Sequence, residues 1–303
     1  MANAIVVEDL RKSYGTVEAV RGISFEVPEG RVFAMLGPNG AGKTTTVEIC
    51  EGFRSRSFGQ VSVLGYDPAK RDRGMKARIG IVLQSTGVDI YLTVAETIEF
   101  YRRLYANPRP VDEIVQLVGL TEKRNTRVGK LSGGQQRRLD VAVALAGDPE
   151  LLFLDEPTTG FDPAARRGAW DVIRSLQSLG KTIFLTTHYM DEAQHLADQV
   201  AIIAKGEIVA QGAPATLGGR DRAATRLRFR LPANAGELPE PFRARATLVD
   251  GGVELTTDDP TGTLHELTGW ALQRGVRLDA LDVSRPTLED VYLEITGREA
   301  GTE

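Results

Sequence analysis

A glycine-rich segment at residues 37–45 has the residue types and the spacing of a phosphate-binding loop. Its members are Gly37, Pro38, Asn39, Gly40, Ala41, Gly42, Lys43, Thr44 and Thr45, of which the first eight match G-x-x-x-x-G-K-[ST] at every defined position. Glycines let backbone N–H groups turn inward around phosphates, and the start of a following helix favours negative charge. The pattern predicts that Lys43 reaches the β- and γ-phosphates of a nucleotide such as ATP, and that the Thr44 hydroxyl binds Mg²⁺.

Two adjacent carboxylates follow an apolar run later in the chain. Residues 151–154 are Leu-Leu-Phe-Leu, and Asp155 and Glu156 come directly after them. A strand that ends there places Asp155 at the carboxyl edge of a sheet, where it can hold Mg²⁺ through water, and Glu156 can polarise the attacking water. Strands often end in acidic residues, so the motif gains its meaning from the phosphate loop. Together the two segments predict a site that hydrolyses a nucleoside triphosphate.

A third motif is the start of a helix with two glycines. It consists of Leu131, Ser132, Gly133, Gly134 and Gln135. Ser132 and Gln135 have the spacing of a capping box, and the glycines expose backbone N–H groups, so the segment is predicted to attract an anion. Taken alone, the segment fits an ordinary helix cap without a ligand equally well.

Short apolar runs predict the elements that position these motifs. Residues 1 to about 30 contain alternating runs separated by glycine turns, which predicts a small antiparallel β-layer. The uninterrupted apolar run at residues 32–36 leads into the phosphate loop and is typical of a buried parallel strand. Similar runs at residues 151–154 and 182–185 each follow a helix-like stretch. The pattern therefore predicts an α/β fold with a parallel sheet at its core.

Residues from about 85 to 130 are predicted to be helical. Thr93 and Glu96 have capping-box spacing. The apolar positions that follow at helical intervals are Ile98, Tyr101, Leu104 and Tyr105. These intervals predict helical structure that includes Leu104 and Tyr105.

The chain is predicted to divide into two domains. Residues 1–220 would form the nucleotide-binding domain, with a helical subdomain at about residues 85–150. From residue 221 to 303 the pattern changes to alternation at 227–231, a helix near 264–272, a strand near 276–283 and a final helix near 287–293. These residues are predicted to form a small α/β accessory domain.

Composition limits the function classes that fit. The 303 residues contain 37 Lys and Arg against 41 Asp and Glu, a net charge of -4, so a nucleic-acid partner is not expected. The single cysteine, Cys50, excludes an internal disulfide and is expected to pack inside a helix. No apolar run approaches the length that spans a bilayer, and the N-terminus lacks the pattern of a signal peptide. Any membrane process is therefore expected to involve a separate partner.

The strings LSGGQQRRLDVAVAL and LLFLDEPTTGFD, in this order behind the phosphate loop, resemble the ABC ATPase family. The resemblance implies a P-loop domain with a parallel sheet, an antiparallel β-layer and a helical subdomain. It also implies a homodimer in which each ATP lies between the phosphate loop of one subunit and the glycine motif of the other. Ser132 and Gly134, flanked by Gly133 and Gln135, would then contact the γ-phosphate bound by the opposite subunit.

Other positions match the family motifs one by one. Gln84 resembles the glutamine that touches Mg²⁺ and the membrane partner, and His188 resembles the switch histidine on the γ-phosphate. Asp162 resembles an aspartate of the dimer interface. Tyr14 resembles the aromatic residue that stacks on adenine, with simple packing at a strand end as the alternative.

The C-terminal part, through the string RPTLEDVYL at residues 285–293, resembles the appended domain of drug-resistance exporters of the daunorubicin type. This implies an ATP-hydrolysing subunit, peripheral to the cytoplasmic face of the membrane, that drives separate permease subunits exporting a drug, antibiotic or lipid-like cargo. One alternative is an importer ATPase, although sugar importers carry longer C-terminal domains. The other is an ABC protein acting on ribosomes or nucleic acid, which the single glycine motif and the lack of heptads disfavour.

Overall fold

The computed structural model of the protein describes residues 2–82, 87–220, 223–232, 235–249 and 251–297. The chain forms two compact units, Met1–Pro214 and Ala215–Glu303. Each unit has its own apolar core. The sequence predicts a boundary at residue 220, close to this division. None of the described helices is long and apolar enough to cross a membrane.

The first unit contains two sheets and the helices around them. Its strands are β1 (Asn3–Tyr14), β2 (Val17–Pro28), β3 (Val32–Leu36), β4 (Phe58–Val63), β5 (Ile79–Val82), β6 (Leu151–Asp155), β7 (Thr182–Thr187), β8 (Gln199–Ala204) and β9 (Glu207–Gly212). Its helices are α1 (Lys43–Cys50), α2 (Arg73–Arg78), α3 (Val94–Arg102), α4 (Val111–Leu117), α5 (Gly133–Ala144), α6 (Pro163–Ser178) and α7 (Met190–Leu196).

The two sheets confirm the predicted β-layer and the predicted parallel core. The antiparallel sheet has the strand order β2-β1-β4, and the larger sheet has the order β5-β6-β7-β3-β8-β9. Strands β5, β6, β7, β3 and β8 are parallel, whereas β9 runs antiparallel to β8. Phe25 of β2 stacks on Phe33 of β3 at 5.2 Å between ring centroids, and Phe33 stacks on Phe184 of β7 at 5.4 Å. Stacked aromatic rings thus join the two sheets in one core.

The strand order places three motifs at the same edge of the parallel sheet. Strand β7 pairs with β3 on one side and with β6 on the other, so that Leu36 lies beside Thr187 and Asp155 lies beside Thr186. The carboxyl ends of parallel strands meet at one edge, where open α/β sheets bind their ligands. The phosphate loop after β3, the carboxylates at the end of β6 and the segment after β7 therefore converge.

The helix α3 has the predicted start and a different end. Thr93 and Glu96 form the capping box, with the Glu96 N–H donating to Thr93 Oγ at 3.3 Å and the Thr93 N–H donating to Glu96 Oε2 at 2.8 Å. The prediction that the helix continues through Leu104 and Tyr105 was wrong, because α3 ends at Arg102. Two prolines follow within eight residues and disfavour a longer helix. The ring of Tyr105 instead lies against Gly147, where an added Cβ would be 2.3 Å from the ring.

The second unit is a four-stranded antiparallel sheet with three helices among its described residues. Its elements are β10 (Thr225–Arg230), α8 (Glu240–Arg243), β11 (Ala246–Val249), β12 (Gly252–Thr257), α9 (Pro260–Gln273), β13 (Asp279–Ser284) and α10 (Leu288–Thr296). The strand order is β11-β12-β10-β13. Leu227, Phe229, Leu255 and Leu267 are buried in its core.

The last strand begins later than residue 276, where the sequence placed it. Strand β13 starts at Asp279 because the chain first closes the C-terminus of α9. Gly275 has the left-handed φ of 64°, and the N–H of Val276 donates to the carbonyl of Ala271 at 2.8 Å. Such a glycine-based closure is a common helix end. The predicted helices near 264–272 and 287–293 lie within α9 and α10.

Candidate active site

Lys43 lies at the bottom of the phosphate loop with its ammonium group held by backbone carbonyls. Its Nζ donates to the carbonyl of Gly37 at 2.8 Å and to that of Pro38 at 3.2 Å. Only 4% of the residue is exposed. A cavity of about 420 Å³ opens above it, lined by Ala19, Asn39, Gly40, Gly42, Lys43, Thr44, Thr45 and Glu156. The structure thus brings the cation and the loop that the sequence predicted into one cavity.

Two glycines of the loop are required by their surroundings. An added Cβ at Gly37 would lie 2.3 Å from the carbonyl oxygen of Ile203. Gly42 has a φ of 108°, and a Cβ there would lie 2.6 Å from the carbonyl oxygen of Ala19. A positive φ strains any residue that carries a side chain, so only glycine adopts the conformation at position 42 without strain. The tight turn lets helix α1 begin directly at Lys43.

Glu156 occupies the centre of the site on a strained backbone. Its φ is 45°, which is uncommon for a residue with a side chain and which clusters at functional positions. Its Oε1 lies 3.4 Å from Lys43 Nζ, and its Oε2 lies 3.4 Å from His188 Nδ1. Burial acts to raise the pKa of Glu156, but the Lys43 ammonium and the Thr159 hydroxyl outweigh burial and lower this pKa. The carboxylate is therefore ionised at neutral pH.

Asp155 is more deeply buried than its neighbour. It is 8% exposed, and the Thr186 hydroxyl donates to its Oδ1. Burial and the negative charge of Glu156 raise the pKa of Asp155, while the hydrogen bond from Thr186 and the charge of Lys43 act to lower it. A nearby cation would therefore favour the ionised form of Asp155.

Arg137 is a site residue that the sequence analysis missed. It lies on α5, is 9% exposed, and donates from Nη2 to the carbonyl of Asp155 at 3.1 Å and from Nε to the carbonyl of Pro157 at 3.2 Å. Burial lowers the pKa of Arg137. Its guanidinium ties the helix behind Ser132 to the backbone around Glu156. A basic side chain on the buried face of α5 was the available signal, but its partners lie far away in sequence.

Glu51 is a second residue that the sequence gave no reason to select. It follows α1 and is 3% exposed. Burial, the negative charge of Asp155 and that of Glu48 raise the pKa of Glu51 to about 8. The carboxyl of Glu51 is therefore largely protonated at neutral pH, because its charged form would lie close to another buried carboxylate.

Ser132 and the glycines after it form the predicted capping box in a different cavity. The Ser132 N–H donates to Gln135 Oε1 at 3.0 Å, and the Gln135 N–H donates to Ser132 Oγ at 3.3 Å. A cleft of about 810 Å³ is lined by Ser132, Gly133, Gly134, Gln136, Arg137, Asp140, Glu156, Thr159, Gly160, Phe161, Asp162 and Ala165. Among the described residues, Glu156 alone lines both this cleft and the cavity above Lys43. No described residue of the glycine motif lines the cavity above Lys43.

Asp162 and Tyr14 have local partners that the sequence did not indicate. Asp162 is the N-cap of α6, and its Oδ1 accepts from the N–H groups of Ala164 at 2.9 Å and Ala165 at 2.8 Å. Tyr14 is 40% exposed, with Lys12 Nζ 5.0 Å and Arg54 Cζ 5.3 Å from its ring centroid. Gln84, the remaining predicted site residue, lies outside the described residues.

Comparison with protein-family models matches both units of the chain. Residues 20–159 match the ABC transporter family, and residues 225–287 match the C-terminal domain of ABC transporter domain-containing protein-like chains. Among solved structures, cbiO1 from Clostridium perfringens, described as part of the ABC transporter complex cbiONQ, matches with a TM-score of 0.64 and 28% identity. The match covers 71% of this chain and 90% of that one. The ADP conformation of MJ1267, an ATP-binding cassette of an ABC transporter, matches with the same TM-score at 23% identity. This match covers 70% of this chain and 92% of that one, and at this identity it supports the fold alone.

Curated relatives extend the similarity across nearly the whole chain. The Daunorubicin resistance ATP-binding protein DrrA2 of Streptomyces coeruleorubidus is 36% identical over 97% of this chain and 95% of its own length. The Nod factor export ATP-binding protein I of Rhizobium leguminosarum bv. viciae is 38% identical over 98% of this chain and 96% of its own length. Together with the phosphate loop, the paired carboxylates and the glycine motif, these matches identify the chain as an ATP-binding subunit of the ABC transporter family of ATPases.

Proposed function

We propose that this chain hydrolyses ATP to power a membrane exporter, and that two copies of it close around two ATP molecules. The observation that carries the proposal is the convergence of Lys43, Glu156 and His188 beside the phosphate loop. Lys43 Nζ and His188 Nδ1 each lie 3.4 Å from an oxygen of the Glu156 carboxylate. Both curated relatives described above are named for resistance or export. An energy-supplying subunit is the role in which this site and these relatives agree.

The chain supplies positioning and charge at the reacting phosphate. Lys43 and the loop N–H groups bind the phosphates and neutralise their negative charge, which is the main requirement of phosphoryl transfer. The ionised Glu156 accepts a hydrogen bond from the attacking water and orients it. Lys43 Nζ and His188 Nδ1 lie near different oxygens of this carboxylate, each at 3.4 Å, and His188 would contact the γ-phosphate. Tyr14 offers its exposed ring to the adenine.

The donor set at the site fits Mg²⁺. Magnesium in nucleotide sites keeps several waters and takes one or two protein oxygens besides the phosphates. Asp155 and Thr44 offer one carboxylate and one exposed hydroxyl beside the phosphate cavity, with Gln84 as the third predicted ligand. When bound, the ion neutralises charge on the β- and γ-phosphates. Burial raises the pKa of Asp155, and the positive charge of a bound cation would lower it.

The second copy is proposed because one chain leaves its glycine motif unused. Ser132 is exposed at a capped helix start, in a cleft separate from the phosphate cavity. A second subunit that faces the first would bring Ser132, Gly134 and Asp162 against its phosphate loop. We predict that Ser132→Arg blocks ATP hydrolysis, because the longer cationic side chain fills this cleft, while ATP binding to the monomer is unchanged. Steady-state phosphate release and equilibrium nucleotide titration measure the two quantities, and normal turnover would contradict the shared site.

The permease is proposed to contact the helical part of the first unit. Four large apolar side chains are exposed there, at Ile90 (54%), Tyr91 (73%), Phe100 (60%) and Leu104 (72%). A concentration of exposed apolar surface in a chain with mixed surface charge is typical of an interaction site. The predicted partner residue Gln84 precedes this segment directly in sequence. The site would lie at the cytoplasmic face of the membrane, with the ATPase bound peripherally.

Cargo selection is assigned to the permease in this proposal. The relatives named for daunorubicin resistance and for Nod factor export are 36% and 38% identical to this chain over nearly its whole length. Nearly equal similarity to two proteins named for different cargoes gives no basis for selecting either one. The ATPase subunit would supply the same closing motion in each case.

Capture of the membrane partner tests the proposal. Glu156→Gln protein with ATP and Mg²⁺ is expected to retain one multi-span membrane protein from detergent-solubilised native membranes, identified by mass spectrometry. A Tyr91→Glu, Phe100→Glu double variant in the same background should lose that protein, because it places charge in the apolar contact. Recovery of ribosomal or DNA-associated proteins, or only of the chain itself, would contradict the transporter function.

A further inference from the structure

The ring of Tyr189 contacts two charged or ionisable side chains beside the active site. The imidazole of His188 lies 4.1 Å away between ring centroids, at an interplanar angle of 40°. Arg166 Cζ lies over the Tyr189 ring, 4.0 Å from its centroid. A guanidinium within about 6 Å of an aromatic face makes a favourable cation–π contact. The three side chains therefore form a continuous stack from α6 to His188.

Tyr189 and Arg166 are each fixed by further contacts. The N–H of Tyr189 donates to Thr187 Oγ at 2.9 Å, which anchors the backbone at the end of β7. Arg166 Nη1 lies 3.4 Å from Asp191 Oδ2, and the side chain of Arg166 is 20% exposed. Its Nε is buried without a hydrogen-bond partner among the described residues. The ring of Tyr189 and the carboxylate of Asp191 therefore hold the guanidinium in place.

The imidazole of His188 packs on Tyr189 and also faces Glu156. Its Nδ1 points toward Glu156 Oε2 at 3.4 Å, and this buried nitrogen makes no hydrogen bond within the described part of the chain. A histidine that acts in catalysis usually has one ring nitrogen fixed by a hydrogen bond. Here the packed face of Tyr189 takes the place of that bond.

We propose that Tyr189, clamped by Arg166, is a positioning residue that holds the His188 imidazole against Glu156 during ATP hydrolysis. This inference rests on the proposed roles of His188 and Glu156. Arg166 lies on α6 four residues after Asp162, which caps this helix in the cleft that also contains Ser132. The stack therefore connects the face proposed to meet the second subunit with the group proposed to contact the γ-phosphate.

Substitutions at Tyr189 separate ring packing from the hydroxyl and from stability. Tyr189→Ala removes the packed face, and a displaced catalytic group lowers kcat by about tenfold to a hundredfold while the KM for ATP stays within about twofold of the unmodified protein. Tyr189→Phe keeps the ring and should keep kcat within about twofold. Equal loss in both variants would overturn the proposal, because it would assign the effect to the hydroxyl. Unchanged kcat in Tyr189→Ala would overturn it as well.

Arg166 provides an independent variant with a matched control. Arg166→Ala removes the guanidinium that lies over the Tyr189 ring. It should lower kcat by about fivefold to tenfold without changing KM, as expected for the loss of one partly buried cation–π contact. Arg167→Ala removes the neighbouring arginine, which is exposed and donates to the carbonyl of Pro163 at 3.3 Å, and should leave kcat unchanged. A fall in kcat that is equal in the two arginine variants would contradict the stack.

Failure of the positioning role of Tyr189 can be distinguished from failure of the proposed ATPase function. Glu156→Gln is measured beside these variants, and loss of turnover in that protein supports the ATPase site whatever the Tyr189 variants do. Thermal melting midpoints are measured for every variant. If Tyr189→Ala loses activity only in proportion to a lower melting midpoint, and KM rises together with the fall in kcat, then Tyr189 has a structural role and the positioning role is rejected.

Discussion

The charged groups of the ATP site and those of the second unit are paired in different ways. In the second unit, Arg226 Nη1 donates to Asp290 Oδ1 at 2.8 Å, and Asp290 also accepts the N–H of Thr287 at 2.6 Å in a capping box. In the ATP site, Glu156 lies 3.4 Å from both Lys43 and His188, beyond ordinary hydrogen-bond distance.

Under the proposed function, this difference separates charges that hold the fold together from charges that act on a ligand. Asp290 has its acceptor sites used by a donor from β10 and by the start of α10, so it has little capacity for anything else. Glu156 is buried beside a cation at a longer distance, which leaves acceptor capacity for water. Substitutions should therefore affect turnover in one region and stability in the other.

The largest effect on ATP binding is expected at Lys43. Lys43→Ala removes the buried cation that binds the phosphates, and ATP affinity should fall about hundredfold, the loss expected when one partner of a buried charge pair is truncated. Lys181→Ala is the matched control, because Lys181 pairs only with Asp148 at 2.8 Å among the contacts described for it, outside the site. Equilibrium titration with a fluorescent ATP analogue measures both affinities. Equal affinity of Lys43→Ala and the unmodified protein would remove the distinction between the two regions.

Glu51 offers a test on the side of stability. The pKa of Glu51 is raised from an ordinary value of 4.5 to about 8, so the unfolded state loses this proton first as the pH rises. Stability should therefore fall between pH 4.5 and about 8, and Glu51→Gln should remove this fall. We expect Glu51→Gln to raise the free energy of unfolding by about 2 kcal/mol at pH 9 and to leave it unchanged at pH 4. Each unit of pKa difference between the folded and unfolded states contributes at most about 1.36 kcal/mol, and the expected 2 kcal/mol lies below the value for the full shift.

Urea unfolding of both proteins with EDTA and without nucleotide measures this difference. Glu48→Gln is a useful companion variant, because Glu48 contributes only the third cause of the shift and is paired with Arg54. Its effect on the pH dependence should be smaller than that of Glu51→Gln. A parallel pH profile for Glu51→Gln and the unmodified protein would contradict the burial of an uncharged Glu51.

The smallest effect is expected in the second unit. Burial acts to raise the pKa of Asp290, but hydrogen bonds from Thr287 and Arg226 outweigh burial and lower it. The ionised Asp290 therefore stabilises the fold above its ordinary pKa of 3.8, and this stabilisation is lost as the pH falls further. Asp290→Asn should destabilise α10 by about 1 kcal/mol at pH 7. Hydrogen–deuterium exchange would then be about fivefold faster in peptides from α10 and unchanged in α1. Lower ATP turnover without faster exchange would contradict the structural role.

The sequence predicted the parts of the fold that depend on local patterns. Apolar runs predicted β3 and β6, and the spacing of Ser132 and Gln135 predicted a capping box that the structure contains. Helix ends were harder to predict, because the end of α3 depends on later prolines and on the packing of Tyr105 against Gly147, which is distant in sequence. Periodicity alone carries no information about such a contact.

The site was predictable in its motifs and not in their supporting contacts. Lys43, Asp155, Glu156 and His188 follow strand ends that the pattern identified, so their convergence follows from a parallel sheet. Arg137 reaches the carbonyls of Asp155 and Pro157 across 18 and 20 residues of sequence. The burial of Glu51 and the stack at Tyr189 likewise depend on the three-dimensional packing of separate elements. The sequence motifs therefore predicted the groups proposed to react, while the side chains that contact those groups were found only in the structure.

The central claim is that Glu156 acts on the attacking water and is not needed to bind ATP. The most direct measurement compares ATP hydrolysis and ATP affinity for the unmodified protein and Glu156→Gln under the same conditions. We predict that turnover of Glu156→Gln falls at least about a thousandfold while its ATP affinity is unchanged or higher, because the amide keeps the shape and loses the charge that orients water. Sustained hydrolysis by Glu156→Gln, or loss of ATP binding together with turnover, would contradict the account.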